Sequence, residues 1–296
     1  MQDHVSEVRR YYEANTSLFA SLGQSSGLGT IRRAIWGPGV HSRTQAFHYV
    51  DSLIAEQLLQ LRAKPLRVFD FGSGNGSSLI RLSSSADFEG IGISLSARQT
   101  FNANARIAAH GLQARLRCIE GNFLELPADL PQGHLVFSIE AFAHSVSADA
   151  FFRAAAARLV PDGVLVICDD FLTDRAAAAG TLSKRERRVI DEFRHGWVVS
   201  ALASDAELAA AAKTAGFERV SALDLTEYIE LERPRDRVVR GVVACARHLP
   251  LRLRSRNYLR MLIGGNALQS GLLDGLIAHR FLVYRRSRDE SPCRRV

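Results

Sequence analysis

Apolar positions along the 296-residue chain fall into two different periods. The first third is helical in pattern. Val5 to Phe19 reads as one helix, and a Gly-rich turn region follows from Gly23 to Gly39. Thr44 to Leu61 reads as a second helix. Its apolar residues Phe47, Val50, Leu53, Ile54, Leu58 and Leu61 recur at the spacing of one buried face. Pro65 ends that period. Short, solid apolar runs then take over at Leu66–Phe71, Gly90–Ile93, Leu116–Glu120, His134–Ile139 and Val164–Cys168, as in strands buried on both faces. Helical stretches separate them: Ser77–Ser84, a helix capped by Ser96 that stops at Gly111, and Asp149–Leu159, closed by Pro161-Asp162-Gly163. Strands alternating with helices predict an α/β fold built on a parallel, doubly wound sheet.

Past residue 173 the order changes. Asp174 to Val199 is polar, basic and helical. Ser204-Asp205-Ala206-Glu207 forms a capping box for a helix ending at Gly216. Glu218–Thr226 reads as a strand, Arg247–Ile263 as an arginine-rich helix, and Ile277–Tyr284 as a strong last strand. The expectation is a Rossmann-like sheet of five parallel strands closed by two C-terminal ones. An N-terminal helical cap spans 1–65, the core 66–173, and lid insertions with the closing strands 174–296. Segments 174–203 and 230–275 are expected to cover a pocket.

Composition narrows the functional classes. Hydrophobic residues make up 47% of the chain, enough for a sizeable core. No run approaches the ~18 apolar residues of a membrane span. The charged first ten residues do not resemble a signal peptide, so a cytoplasmic protein is expected. Cys118, Cys168, Cys245 and Cys293 are too scattered for a zinc or redox pair, and no metal-ligand spacing is present. Arginine supplies nearly all the positive charge behind the net +7, since there are only three lysines. Its apparently even spread argues against a nucleic-acid partner. Homo-oligomerisation stays open.

The sharpest motif is Asp70-Phe71-Gly72-Ser73-Gly74-Asn75-Gly76, between a strand and a helix. Glycines at such a bend let the backbone approach a ligand. A dinucleotide site would space them G-x-G-x-x-G, whereas here the third glycine comes one position early. This D-x-G-x-G-x-G pattern resembles motif I of class I S-adenosylmethionine-dependent methyltransferases. The resemblance implies that Asp70 supports the cofactor amino group, with Gly72, Ser73 and Gly74 framing its methionine and ribose parts. Strand two ends without an acid, at Gly92-Ile93-Ser94-Leu95-Ser96-Ala97-Arg98-Gln99. That stretch is similar to G-I-T-x-S-x-x-Q in the sterol and cyclopropane-type lipid C-methyltransferases, which implies ribose roles for Ser94 and Gln99. Gly121-Asn122-Phe123-Leu124-Glu125-Leu126-Pro127 resembles the adenine-packing G-D-x-x-x-L-P stretch. Asn122 replaces its Asp there, and Phe123 offers a ring face or fills core.

The resemblance continues at Ile139-Glu140-Ala141-x-x-His144, which looks like I-E-A-x-x-H of the sterol enzymes. A glutamate also sits at the matching place in prenyl diphosphate C-methyltransferases. It implies C-methylation of an isoprenoid alkene carbon. Glu140 would be the proton acceptor at the cofactor's edge, and His144 its orienter. The Tyr11-Tyr12…Thr16 segment resembles a closing arm, which implies a catalytic place for Tyr12 beside Glu140 and His144. Independently, a carboxylate after an apolar strand end is costly unless functional. Aromatic rings stabilise cations, and Tyr11, Tyr12, Trp36, Phe142 and Trp197 are the candidates. Arg32, Arg33, His41 and Arg43, with Arg233, Arg235 and Arg237 and Arg247-His248, suit a diphosphate head. Mg would be needed only with such a head. The alternative is O- or N-methylation of a small hydrophobic metabolite, with His144 or His195 as base.

Overall fold

The computed structural model describes residues 2–22, 32–178, 180, 182–254 and 256–288. Most of the Gly-rich turn, residues 23–31, and Cys293 lie outside the described residues. Two helices, α1 (Gln2–Leu22) and α2 (Arg43–Gln60), precede the sheet. The Ser42 hydroxyl caps α2 by accepting from the Gln45 amide. Helix α2 lays Val50, Ile54 and Leu58 against Val68, Leu135, Phe137 and Val166 of the sheet.

Strands and helices then alternate: β1 (Arg67–Phe71), α3 (Ser77–Leu82), β2 (Glu89–Ser94), α4 (Ala97–Ala109), β3 (Leu116–Glu120), β4 (Gly133–Ile139), α5 (Ala148–Arg158) and β5 (Leu159–Leu172). Next come α6 (Asp174–Ala177), α7 (Lys184–Trp197), α8 (Asp205–Thr214), β6 (Phe217–Asp224), α9 (Pro234–Ala246), α10 (Leu251–Arg254), α11 (Asn257–Leu273) and β7 (Ile277–Arg286). The sheet has seven strands in the order β3-β2-β1-β4-β5-β7-β6. The first five run parallel, β7 is antiparallel to β5, and β6 is antiparallel to β7. Strand order reverses between β1 and β4, so their carboxyl ends open a crevice where such sheets bind ligands.

Each face of the sheet carries its own core. Phe69, Phe71, Phe151, Phe152 and Leu208 pack on one side, and Val68, Leu79, Ile107, Leu135 and Phe137 on the other. A third cluster joins α7 to α11 through Val189, Ile190, Phe193, Ala267, Leu268 and Leu272, and forms the lid.

Three expected boundaries differ. Pro161-Asp162-Gly163 does not separate helix from strand. It lies inside β5, where Asp162 takes a left-handed φ of 62° and the β4–β5 register shifts between Gly133 and Leu135. The 174–199 helix is two pieces, because Ser183 and Glu186 form a capping box that starts α7 afresh. The expected helix Arg247–Ile263 is broken as well. Pro250 falls between α9 and α10, and α11 runs on to Leu273.

Candidate active site

The bend after β1 depends on glycine. Gly72, Gly74 and Gly76 take φ of 94°, 50° and 72°, where a side chain is strained. A Cβ on Gly72 would lie 2.2 Å from that of Ala141. The amides of Gly72 and Ser73 donate to the Ile93 carbonyl at 3.0 and 2.8 Å, tying the bend to the end of β2. There the Ser94 hydroxyl donates to Gln99 Oε1 at 2.9 Å, joining the two expected ribose contacts. Asp70 is 3% exposed. Burial first, and Asp51 second, push its carboxyl well above the usual range, while Arg32 pulls the other way.

These residues fit an adenine nucleoside. Asn122 spends its Oδ1 on the Leu124 amide, while its Nδ2 is buried without a partner. A buried donor of that kind calls for an acceptor, and the edge of a purine carries one. Asn75 Oδ1 is likewise buried and unpartnered beside the bend. Phe123 packs one face on Phe71, centroids 5.3 Å apart, and meets Phe151 edge-on.

Beside the bend lies a cavity of about 520 Å³. Its floor is the carboxyl ends of β4 and β5, with Glu140, His144, Asp169 and Asp170. Tyr11 and Tyr12 from α1 close one side, and Phe193, Trp197, Met261 and Leu268 from the lid close another.

Glu140 takes a left-handed φ of 50°, a conformation that costs a non-glycine residue stability and concentrates at functional sites. Its Oε1 accepts from the Arg33 amide at 3.0 Å and from Arg33 Nε at 3.4 Å. The Arg33 guanidinium also forks onto Asp170 through two bonds of 2.9 and 2.8 Å. Burial would raise the Asp170 pKa, but Arg33 and His279 outweigh it and hold the carboxyl at about 2. The adjacent Asp169 goes the other way. Burial, then the Asp170 charge, push it up to about 8, against two backbone amides that donate to it.

His144 is neutral at ordinary pH, because burial drops its pKa to about 4. Its Nδ1 faces the Val198 carbonyl at 3.2 Å, so Nδ1 carries the proton. Nε2 is then an acceptor, and the Tyr12 hydroxyl donates to it at 2.7 Å.

The expected site residues divide accordingly. Tyr11, Tyr12, Glu140, His144 and Trp197 meet at the cavity. Arg32 borders it, but its guanidinium is committed to buried Asp51. Four expected substrate contacts are elsewhere. Phe142 is wholly buried in the core against Phe151 and Phe171. Trp36 packs on the cluster of Ala34, Ala46 and Phe47. His41 is exposed, and Arg43 lies over the Phe47 ring. His195, the alternative base, is exposed on the outside of α7. Arg247 pairs with Glu192. Asp169, Asp170 and His279 were not anticipated, because a strand hides the spacing that brings them together.

Residues 68–163 match the model of a methyltransferase domain. The 27-O-demethylrifamycin SV methyltransferase of Amycolatopsis mediterranei is 29% identical over 202 residues, 66% of this chain and 72% of that one. The 24-methylenesterol C-methyltransferase 2 of Oryza sativa is 28% identical over 64% of this chain, but the match spans little more than half, 54%, of its length. Among solved structures, geranyl diphosphate C-methyltransferase from Streptomyces coelicolor A3(2) superposes with a TM-score of 0.67 at 18% identity, covering 96% of this chain and 97% of that one. Cyclopropane synthase MmaA2 from Mycobacterium tuberculosis gives 0.72 at 14% identity, covering 96% and 98%. With the seven-stranded sheet and the glycine bend, these matches support a class I S-adenosylmethionine-dependent methyltransferase, with its methyltransferase domain at residues 68–163.

Proposed function

We propose that the enzyme methylates an alkene carbon of a neutral isoprenoid held in the 520 Å³ cavity. The observation that carries this reading is the Glu140 carboxylate, held by Arg33 in a chamber walled by Tyr11, Tyr12, Phe193 and Trp197. Asp70, Gly72, Ser73, Gly74, Ser94, Gln99 and Asn122 would hold the cofactor, which supplies an activated methyl group. An alkene that accepts a methyl becomes a carbocation. The aromatic walls stabilise that charge, and Glu140 takes the proton whose loss restores the double bond. Arg33 holds the carboxylate in place for this step.

A diphosphate head fits less well. Arg32 is paired with Asp51, Arg33 with Asp170 and Glu140, and Arg233 with Asp236. Arg235 completes the arginines lining the cavity, and its nearest carboxylate is Asp236 at 3.9 Å. A diphosphate would have to break these pairs, and the Mg expected with it loses its reason. The geranyl diphosphate neighbours support the fold, and their substrate is the weaker guide here.

One observation favours a second reading. The neutral His144 presents Nε2 to a hydroxyl, now that of Tyr12. A substrate hydroxyl in that place would be an O-methylation substrate with His144 as base. Incubation with methyl-labelled cofactor and a panel of terpenols, sterols, prenyl diphosphates and phenols distinguishes the two. Label on carbon supports the first reading. Label on oxygen replaces it with the second, and turnover confined to diphosphates overturns the neutral-substrate argument.

A further inference from the structure

Arginine is not evenly spread after all. From Arg233 to Arg256 the sequence holds eight arginines against one acid, Asp236. That net +7 equals the formal charge of the whole chain, so the remainder sums to zero. The stretch covers α9, α10 and the approach to α11.

Its apolar residues are divided as well. Helix α9 buries Asp236, Val243 and Ala246. It leaves Val238 67% and Val242 44% exposed, and Leu249, Leu253 and Tyr258 follow at 40%, 37% and 51%. Val238, Val242 and the exposed Cys245 are spaced i, i+4, i+7, so they form one outward strip. Arg235, Arg237, Arg240, Arg252 and Arg256 are exposed around it. The inner side of the same segment, through Arg235, Val239 and Tyr258, lines the cavity.

We propose that this basic, apolar-tipped strip docks on an anionic lipid surface and places the outer wall of the cavity at the interface. Exposed valine and leucine side chains gain by entering the headgroup boundary, and arginines pair with lipid phosphates. Single-stranded nucleic acid would ask for stacking rings, and Tyr258 is the one Phe, Tyr or Trp from 233 to 258. No helix among the described residues is long and apolar enough to cross a membrane, so the contact is peripheral.

The test is co-sedimentation of the full chain with phosphatidylcholine vesicles, with and without phosphatidylglycerol. Binding is expected only with the anionic lipid, and it weakens with added salt. Arg237→Gln weakens it about fivefold, the worth of one arginine near such a surface. Val238→Asp with Val242→Asp weakens it tenfold or more. Both variants keep the wild-type melting temperature and cofactor affinity, because the altered side chains are exposed and away from the glycine bend. Equal binding to neutral vesicles, no binding, or variants without effect would overturn the proposal. So would a gel shift with DNA or RNA in place of vesicle binding. Calorimetry with S-adenosylmethionine is read separately, so loss of cofactor binding counts against the cofactor-site assignments alone and leaves the docking test standing.

Discussion

Glu140 combines a left-handed backbone with a carboxylate held by Arg33 at the wall of an aromatic chamber. Glutamine keeps an acceptor for the Arg33 amide but neither the charge nor the proton affinity. Glu140→Gln is therefore expected to lower turnover by about 10²–10⁴ while leaving cofactor affinity by calorimetry near wild type. If turnover survives and Tyr12→Phe or His144→Gln abolishes it, the proton acceptor is His144. Gly72→Ala tests the other half of the site. Its Cβ would fall 2.2 Å from Ala141 at a φ of 94°, so the bend or the Glu140 loop must move. Overpacking of this kind costs about 1–3 kcal/mol, and cofactor affinity should fall with stability in a denaturant titration. Glu140 was legible in the sequence because a charged residue after Val136-Phe137-Ser138-Ile139 has no cheap apolar reason to be there. Arg33 was read only as one of several arginines suited to a substrate head. Its partners Glu140 and Asp170 are 107 and 137 positions away, and no local pattern announces such a pairing.

Helices α7 and α11 meet through two glycines. A Cβ on Gly196 would lie 2.4 Å from Gly264 Cα, and one on Gly264 would lie 2.8 Å from Gly196 Cα. The lid therefore closes only because both positions lack a side chain. Gly264→Ala is expected to push the helices apart, destabilise by about 1–3 kcal/mol, and raise KM for the acceptor substrate. Cofactor affinity should hold, since the bend rests on β1 and β2. Thermal unfolding, KM and calorimetry together check this, and a loss confined to cofactor binding would contradict it. The parallel strands and their helices were legible because solid apolar runs alternate with capped helical stretches. The lid was less legible. Its arginine-rich pattern covers three helices, and the breaks at Pro250 and Ser183 are carried by single residues. Ser183-x-x-Glu186 is a capping signature that the sequence does contain. The apolar length of α11 has its reason only once α7 lies beside it.

Three buried groups on the cavity floor, with Asp70 at the glycine bend, tilt stability with pH. His144 is held at about 4, below its ordinary 6.5. The unfolded chain takes up a proton there that the fold refuses, so this contribution is present above pH 6.5 and lost as pH falls toward 4. Asp170, held at about 2, contributes above 3.8 and loses that contribution as pH falls through 2. Asp169 has the opposite sign. Held at about 8, it keeps its proton when folded, so its contribution is present below 3.8 and lost as pH rises through 8. Between pH 4 and 6.5 the His144 slope offsets that of Asp169, and Asp70, whose carboxyl burial also raises, adds a second slope of the Asp169 sign. Above 6.5 the His144 slope is gone, Asp169 lowers stability by at most about 1.4 kcal/mol per pH unit, and Asp70 acts in the same direction. Below 4 the Asp170 term takes stability down again. The expected profile is a maximum near pH 4, with a decline below it and a fall toward alkaline pH that steepens above 6.5, read from urea unfolding at a series of pH values. Asp169→Asn should lessen the alkaline decline by one proton's worth of slope between pH 4 and 8. An unchanged profile in that variant would mean that Asp169 is ionised in the fold, and the paired carboxylates would have to share their charge in another way.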